Sequence, residues 1–337
     1  MSLDKGTFII SLDFELHWGG FEKWPLENYK QYFLNTRTVI PEMLGLFKEH
    51  EVHVTWAGVG MLFNSSRESL VKDIPAEKPS YVVRELSAYN FMEEVGIGES
   101  EEEDPFHFAG SIVNQIVSTP YQELASHTFA HYYCNEEGQT LEQFRADIRA
   151  AQAAAERYGK KLRSLVFPRN QFNEDYLRVC YEEGFTAVRD NPRDWFWNIE
   201  STQQESAWKR FNRGMDAYWP VGKKNTYPLS SIKHQQGLPL CIPASRLLRP
   251  YRPKELFLNN MKIARINAEM ERAARKNEVY HLWWHPHNFG RHPRESMKGL
   301  ESILSNFVRC RERFGMESLS MGEVAERVLQ GSSVIPT

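Results

Sequence analysis

Asp13 and Glu15 stand two residues apart at the end of an apolar run, Thr7–Leu12 (TFIISL). In a strand, residues two apart point to the same side, so the two carboxylates are expected side by side at a strand terminus, with His17 on the same parity. Two acids held that close repel unless a cation or a shared proton neutralises them. The stretch therefore reads either as a metal or general-base site or as solvated acids at a strand end. His127 and His131 lie in HTFAH. If that segment turns helical, the i, i+4 spacing brings both imidazoles to one face, the spacing that gives a divalent metal two nitrogen ligands from one turn. Two neutral histidines and one carboxylate make a three-ligand site with open positions, as a catalytic metal needs. Zinc is the first candidate, although nitrogen and oxygen donors also suit other divalent transition metals. A second cluster, His285 and His287, lies in HLWWHPHN. Cys134 follows the first histidine pair, but no sequence feature supplies the base that would activate it as a nucleophile.

These residues are far apart in sequence, so the elements between them must bring them together. The pattern alternates. A strand at Thr7–Leu12 is followed by a helix over Tyr29–His50 and strands over Val52–Val59 and Pro120–Ser126. A helix over Thr140–Tyr158 has Thr140 as N-cap and Gly159 just past its end. Strands follow at Leu162–Phe167 and Phe185–Arg189, separated by a helix over Asn173–Glu183. A strand at Leu238–Ile242, a helix over Glu255–Lys276, a strand at Val279–Trp284 and a helix over Pro293–Phe314 complete most of the chain. A short strand at Ser318–Met321 and a helix over Val324–Leu329 end it. This order predicts a parallel α/β sheet or barrel, in which strand ends meet at one rim where active sites are built. Asn64–Phe108 is less regular, with short helical patterns, and its acidic run Glu99–Asp104 (ESEEED) reads as a solvated loop or as a lid over the site. Glu200–Gln236 is polar and receives no regular element. The expectation is one domain over 1–337 with insertions near 64–108 and 199–237.

The 337 residues are 41% hydrophobic and 25% charged, with a formal net charge of -3. That balance argues against nucleic-acid binding by bulk electrostatics. No apolar run reaches the roughly 20 residues of a membrane span, so no stable membrane insertion is expected. The N-terminus lacks the basic and long apolar regions of a secretion signal. The four cysteines form no CxxC, which suits reduced thiols. The expected address is cytoplasmic.

Taken in order, the motifs resemble the polysaccharide deacetylase, or NodB-homology, family of carbohydrate esterases. ISLDFE is similar to its first motif, HVTWAGVGMLF to the strand that follows, and YQELASHTFAH to its second, HxxxH. VRDNPRDWFW resembles the fourth motif and HLWWHPHN the fifth. The resemblance implies a distorted (β/α) barrel of NodB type. It implies a metal-dependent hydrolase that removes an N-acetyl or other N-acyl group from an amino sugar, glycan or glycan precursor. By it, Asp13 is the base, Glu15, His127 and His131 hold the metal, and His285 is the general acid. Asp194 would orient His285 and Trp195 would wall the pocket. Trp18, Trp195 and Trp197 would offer faces for stacking on a sugar, and His287 stands as an extra substrate-binding residue. Two departures matter. Phe14 splits the first-motif acids, which are adjacent in most of the family. The third motif reads FPRNQ, so Arg169 falls later than the family's arginine while remaining the candidate to pair with Asp13. Two alternatives stay open: a metal-free allantoinase-like amidohydrolase of the same fold, and a non-catalytic carbohydrate-binding protein.

Overall fold

The computed structural model describes residues 5–197, 206–219, 222 and 225–332. Its core is a parallel sheet wrapped by helices. In chain order the elements are β1 (Thr7–Phe14), α1 (Leu26–Glu49), β2 (Val54–Gly58), α2 (Arg67–Asp73), α3 (Ala88–Glu94), α4 (Gly110–Ser118) and β3 (Gln122–Ser126). There follow α5 (Leu141–Glu156), β4 (Ser164–Leu165), α6 (Glu174–Glu182), β5 (Ala187–Asp190), α7 (Ala207–Met215), β6 (Tyr227–Pro228) and β7 (Leu240–Pro243). The last are β8 (Arg246–Leu247), α8 (Leu256–Lys276), β9 (Glu278–Trp284), α9 (Pro293–Phe314), β10 (Glu317–Ser318) and α10 (Met321–Ser332).

The strand order is β6-β9-β1-β2-β3-β4-β5-β7, and only β6 runs antiparallel to its neighbour. Beyond β7 the chain bends at Ala244 and Ser245 into β8, which pairs with β9. Ala244 N–H donates to Asp190 O at 2.9 Å and Ser245 N–H to His281 O at 2.7 Å. One bent segment thus bridges β5 to β9 and curls the sheet into the distorted barrel expected from the sequence.

Each β1 residue is buried, as befits a parallel strand covered on both faces. Alternation then sorts its side chains. Phe8, Ile10, Leu12 and Phe14 point out into the large cluster under the helices. Ile9 points in, with Ala57, Ala125, Val166, Ala187, Ile242 and Val279. Met321, Val324, Ala325 and Val328 of α10 join that inner cluster. Polarity rises along the inner faces toward the C-terminal ends of the strands. On β1 the inward residues run Ile9, Ser11, Asp13, and on β9 and the residue after it Val279, His281, Trp283, His285.

Most elements match the sequence reading within a few residues. Thr140 caps α5 through a reciprocal box, its hydroxyl accepting from Gln143 N–H at 3.3 Å while Gln143 Oε1 accepts from Thr140 N–H at 3.0 Å. Three differences stand out. The polar stretch Glu200–Gln236, part of which lies outside the described residues, holds α7 and β6. The acidic run is tied down, with Glu101 on Arg37 and Ser111 N–H, Glu99 on Arg67, and Asp104 on His107. The HTFAH segment is not helical: it leaves β3 as an irregular loop. Among the described residues, no helix is long and apolar enough to cross a membrane.

Candidate functional site

The acids and histidines singled out from the sequence converge at the C-terminal rim of the sheet. Asp13 is the last inward residue of β1. Phe14 turns outward, edge-on to Trp56 with ring centres 6.3 Å apart. Glu15 is the first residue past the strand (φ -120°, ψ -31°), and it returns to the same side as Asp13. His285 Nε2 lies 3.6 Å from both Asp13 Oδ2 and Glu15 Oε1. Leu16, at φ 45°, then breaks the parity. His17 leaves the site and meets His107 at 2.8 Å, and His107 in turn meets Asp104 at 2.8 Å.

His127 and His131 reach Glu15 from the loop after β3. Their Nε2 atoms lie 3.0 and 3.4 Å from Glu15 Oε1. No helix brings them together. Thr128 (φ 63°) and His131 (φ 54°) take left-handed conformations, which are costly for non-glycine residues and persist only where the surroundings enforce them. The enforcement is visible. Asp147 of α5, completely buried, accepts from Phe129 N–H at 2.6 Å and Ala130 N–H at 3.0 Å. Thr128 Oγ1 accepts from Tyr132 N–H at 2.7 Å. Gly60 and Met61 N–H donate to Thr128 O and Phe129 O. Burial pushes the Asp147 carboxyl up to about 7, against the two N–H bonds that pull it down.

The donor set fits a divalent cation. Glu15, His127 and His131 place one ligand atom each within 4.8 Å of one another, and Asp13, Glu15 and His285 form an overlapping second group. His127 is 1% exposed, yet neither of its ring nitrogens makes an aligned hydrogen bond. A buried imidazole whose close contact is a carboxylate oxygen, without an aligned hydrogen bond among the described residues, has the donor chemistry of a metal ligand. His131 Nδ1 lies 3.0 Å from Tyr133 Oη, which fixes the ring and leaves Nε2 for the cation side, as an outer partner of a metal-binding histidine does. Burial lowers the His131 pKa, which keeps the ring neutral. Burial alone would raise Glu15, but His285, His127 and His131 together hold it well below the usual carboxylate range.

The arginine on Asp13 is Arg189 of β5, not Arg169. Its Nη1 and Nη2 donate to Asp13 Oδ1 and Oδ2 at 2.5 and 2.8 Å, a bidentate pair with both residues buried. Its guanidinium also lies 4.2 Å over the Trp283 ring and 3.1 Å from Asn170 Oδ1. Below it, Ser11 Oγ meets Arg189 at 3.3 Å and His281 Nε2 at 2.8 Å. Burial acts to raise Asp13, and Arg189 and His285 outweigh it and hold the carboxyl below its ordinary value. The sequence carries one signal for Arg189: a charge inside an apolar strand must find a buried partner.

Several expected residues fall elsewhere. Arg169 pairs with Glu22 at 2.6 Å and Glu136 at 3.2 Å, and lies 3.9 Å over the Tyr133 ring. With Arg169 and Asn170 both at positive φ, the chain after β4 aims this arginine at the outer side of Tyr133 rather than at Asp13. Trp18 is fully buried and donates to His107 O at 3.0 Å, so it has no face for a sugar. His287 is buried among Trp24, Tyr32 and Phe33, 3.9 Å from Glu15 Oε2, so it packs beside the acid instead of facing substrate. Asp194 accepts from Asn225 Nδ2 at 2.9 Å, and no hydrogen bond joins it to His285 among the described residues. Trp195 is 56% exposed. Cys134 is buried, which pushes its thiol well above the ordinary value and removes it as a nucleophile.

Residues 27–188 match the family model for polysaccharide deacetylase. No curated protein sequence matches. Among solved structures, a Mycobacterium smegmatis protein assigned as a polysaccharide deacetylase aligns with a TM-score of 0.58 at 13% identity, over 99% of this chain and 93% of that one. A Pseudomonas aeruginosa PAO1 protein assigned likewise aligns at 0.56 and 12%, over 97% and 92%. Puue allantoinase aligns at 0.56 and 11%, over 98% and 92%. At such identities the likeness is one of fold. Residues 27–188 thus match the polysaccharide deacetylase family model, and the chain shares its fold with solved structures assigned as polysaccharide deacetylases.

Proposed function

We propose that this chain is a metal-dependent hydrolase that removes an acetyl or other acyl group from the nitrogen of an amino sugar, in a glycan or glycan precursor. The observation that carries the reading is the convergence of Glu15, His127 and His131 beside the Asp13–Arg189 pair and His285 on one rim. The family match supports a carbohydrate substrate. When bound by Glu15, His127 and His131, a divalent cation supplies Lewis-acid polarisation of the acyl carbonyl and a lowered pKa for water. Zinc is the first candidate for a set of two imidazoles and one carboxylate. Asp13, held ionised by Arg189, takes a proton from the attacking water. As the carbon–nitrogen bond breaks, His285 gives a proton to the nitrogen, since an amine leaves poorly without one. His285, 27% exposed at its side chain, is open to the substrate side. Trp195, 56% exposed, offers an aromatic face to a sugar. Four cysteines free of disulfides suit the cytoplasmic address proposed for the enzyme.

The allantoinase-like alternative dispenses with the metal, and the convergence of Glu15, His127 and His131 into one donor set argues against it. Metal analysis of purified protein, paired with an acetate-release screen over N-acetylated nucleotide sugars and short glycans, tests the proposal. One equivalent of metal per chain, lost in His127→Ala together with acetate release, is expected. Metal-free protein that still hydrolyses an amide would favour the allantoinase-like reading. Metal-loaded protein that binds glycans without releasing acid would favour a binding role.

A further inference from the structure

A cavity of about 450 Å³ opens between the first halves of α8 and α9, and its walls include none of the residues of the rim site. Its volume falls within the range of about 300–1,000 Å³ common to small-molecule sites. Small residues on the facing helices, among them Gly299, Ala264 and Ser302, leave the space, and Leu248, Ile263 and Phe289 give it an apolar floor. Besides the exposed Lys298, half-buried Arg249 and buried Lys262 line it. Lys262 is 6% exposed and spends two of its three donors on Pro250 O and Asn259 Oδ1, at 2.7 and 2.9 Å. Arg249 donates to the Arg213 carbonyl at 2.6 Å. Neither cation lies within ion-pair distance of a carboxylate among the described residues. Ser296, 8% exposed in the first turn of α9, also lines the cavity, and its hydroxyl has no hydrogen-bond partner among the described residues. At the rim, Glu295 and Lys298 carry opposite charges. Two turns before Ile263 and Ala264 on α8, Leu256 and Phe257 are 64% and 74% exposed, and the seven-residue spacing puts them on the same face of the helix.

A buried lysine and a half-buried arginine with no carboxylate in ion-pair contact among the described residues, an unsatisfied hydroxyl and an apolar floor describe one kind of occupant. We infer that this cavity is a second binding site, which takes a small anionic amphiphile: an acidic head group, carboxylate or phosphate monoester, on a short apolar body. The head group would meet Lys262, Arg249 and Ser296, and the body would lie along Ile263 and Phe289 toward Phe257.

Titration calorimetry with decyl phosphate, decanoate and inorganic phosphate tests the inference. Saturable binding of one decyl phosphate or decanoate per chain is expected, with inorganic phosphate at least tenfold weaker. Lys262→Met and Ser296→Ala should each weaken the amphiphile at least fivefold. Ala264→Trp, a change at an exposed position that fills the mouth, should abolish binding while the circular dichroism spectrum and metal content stay unchanged. Binding that is absent, that is equal for inorganic phosphate, or that survives Ala264→Trp overturns the proposal. Because the readout is binding at this cavity, it stands or falls independently of acetate release at the rim.

Discussion

Arg189 decides what Asp13 can be. A carboxylate buried at 3% exposure would take up a proton if left alone, since desolvation disfavours the charge. The bidentate guanidinium reverses this, so Asp13 stays ionised and able to accept a proton well below neutral pH. A falling acid limb governed by Asp13 is therefore expected below the ordinary carboxylate pKa of about 4. In Arg189→Met the same limb should move up in pH, and kcat/KM near neutrality should drop on the order of 10²-fold, measured as pH–rate profiles against an identified substrate. An unmoved limb would remove Asp13 from the role of base. Arg169→Met should act differently. It frees Glu22 and the Tyr133 ring, so the expected effect is weaker metal retention by His131, about tenfold, with the acid limb where it was. Equilibrium dialysis against a metal buffer separates the two cases.

At the scale of elements, the HTFAH loop makes the site and α5 makes the loop. A helix through His127–His131 would have aligned the imidazoles by its own repeat. The irregular path instead needs two left-handed residues, and these are stabilised from outside by the Asp147 carboxylate. Asp147→Asn keeps the size but turns one acceptor into a donor that faces a backbone N–H. Metal affinity should fall 10- to 100-fold, the range seen when outer partners of metal ligands are changed, with far-UV circular dichroism preserved. Thr140→Ala, which removes the cap of the same helix without touching the loop, should cost about 1 kcal/mol of stability and leave metal affinity alone. Equal losses of metal from both variants would mean that α5 supports the loop only through general stability.

The whole molecule is a barrel whose lumen grades from apolar to charged. Ile9, Val279 and Ala187 lie at the level where α10 packs, Ser11 and His281 above them, Asp13, Arg189 and Trp283 above those, and Glu15 with the site histidines on the rim. Burying histidines, His281 inside this gradient and His17 beside His107 outside it, has a cost at low pH. Burial, with Arg189 nearby, lowers His281 to about 3, and burial, with His107 nearby, lowers His17 to about 4. Both are neutral in the native state and take up a proton on unfolding once the pH is below about 6.5. The stability they contribute is present above that pH and is lost as pH falls toward 4 and 3. Denaturant unfolding of metal-free protein at pH 7 and pH 5 should differ by about 2 kcal/mol per histidine. No loss of stability between these pH values would contradict the neutral assignment of both rings.

The sequence by itself determined the alternation of strands and helices, the rim as the meeting place, and the identity of Asp13, Glu15, His127, His131 and His285 as candidates. Those inferences rest on short-range rules: apolar periodicity, caps, and the parity that places Asp13 inward and Phe14 outward. The family match covers 27–188 and so includes the histidine pair but neither the opening acids nor His285. That these residues share one site is a statement of tertiary structure. So are the exchange of Arg169 for Arg189, the burial of Trp18 and His287, and the non-helical loop held by Asp147. In each case the deciding contact joins residues distant in the chain, Asp13 to Arg189 or Asp147 to Phe129, and no local pattern encodes which of several charged residues a buried charge will meet.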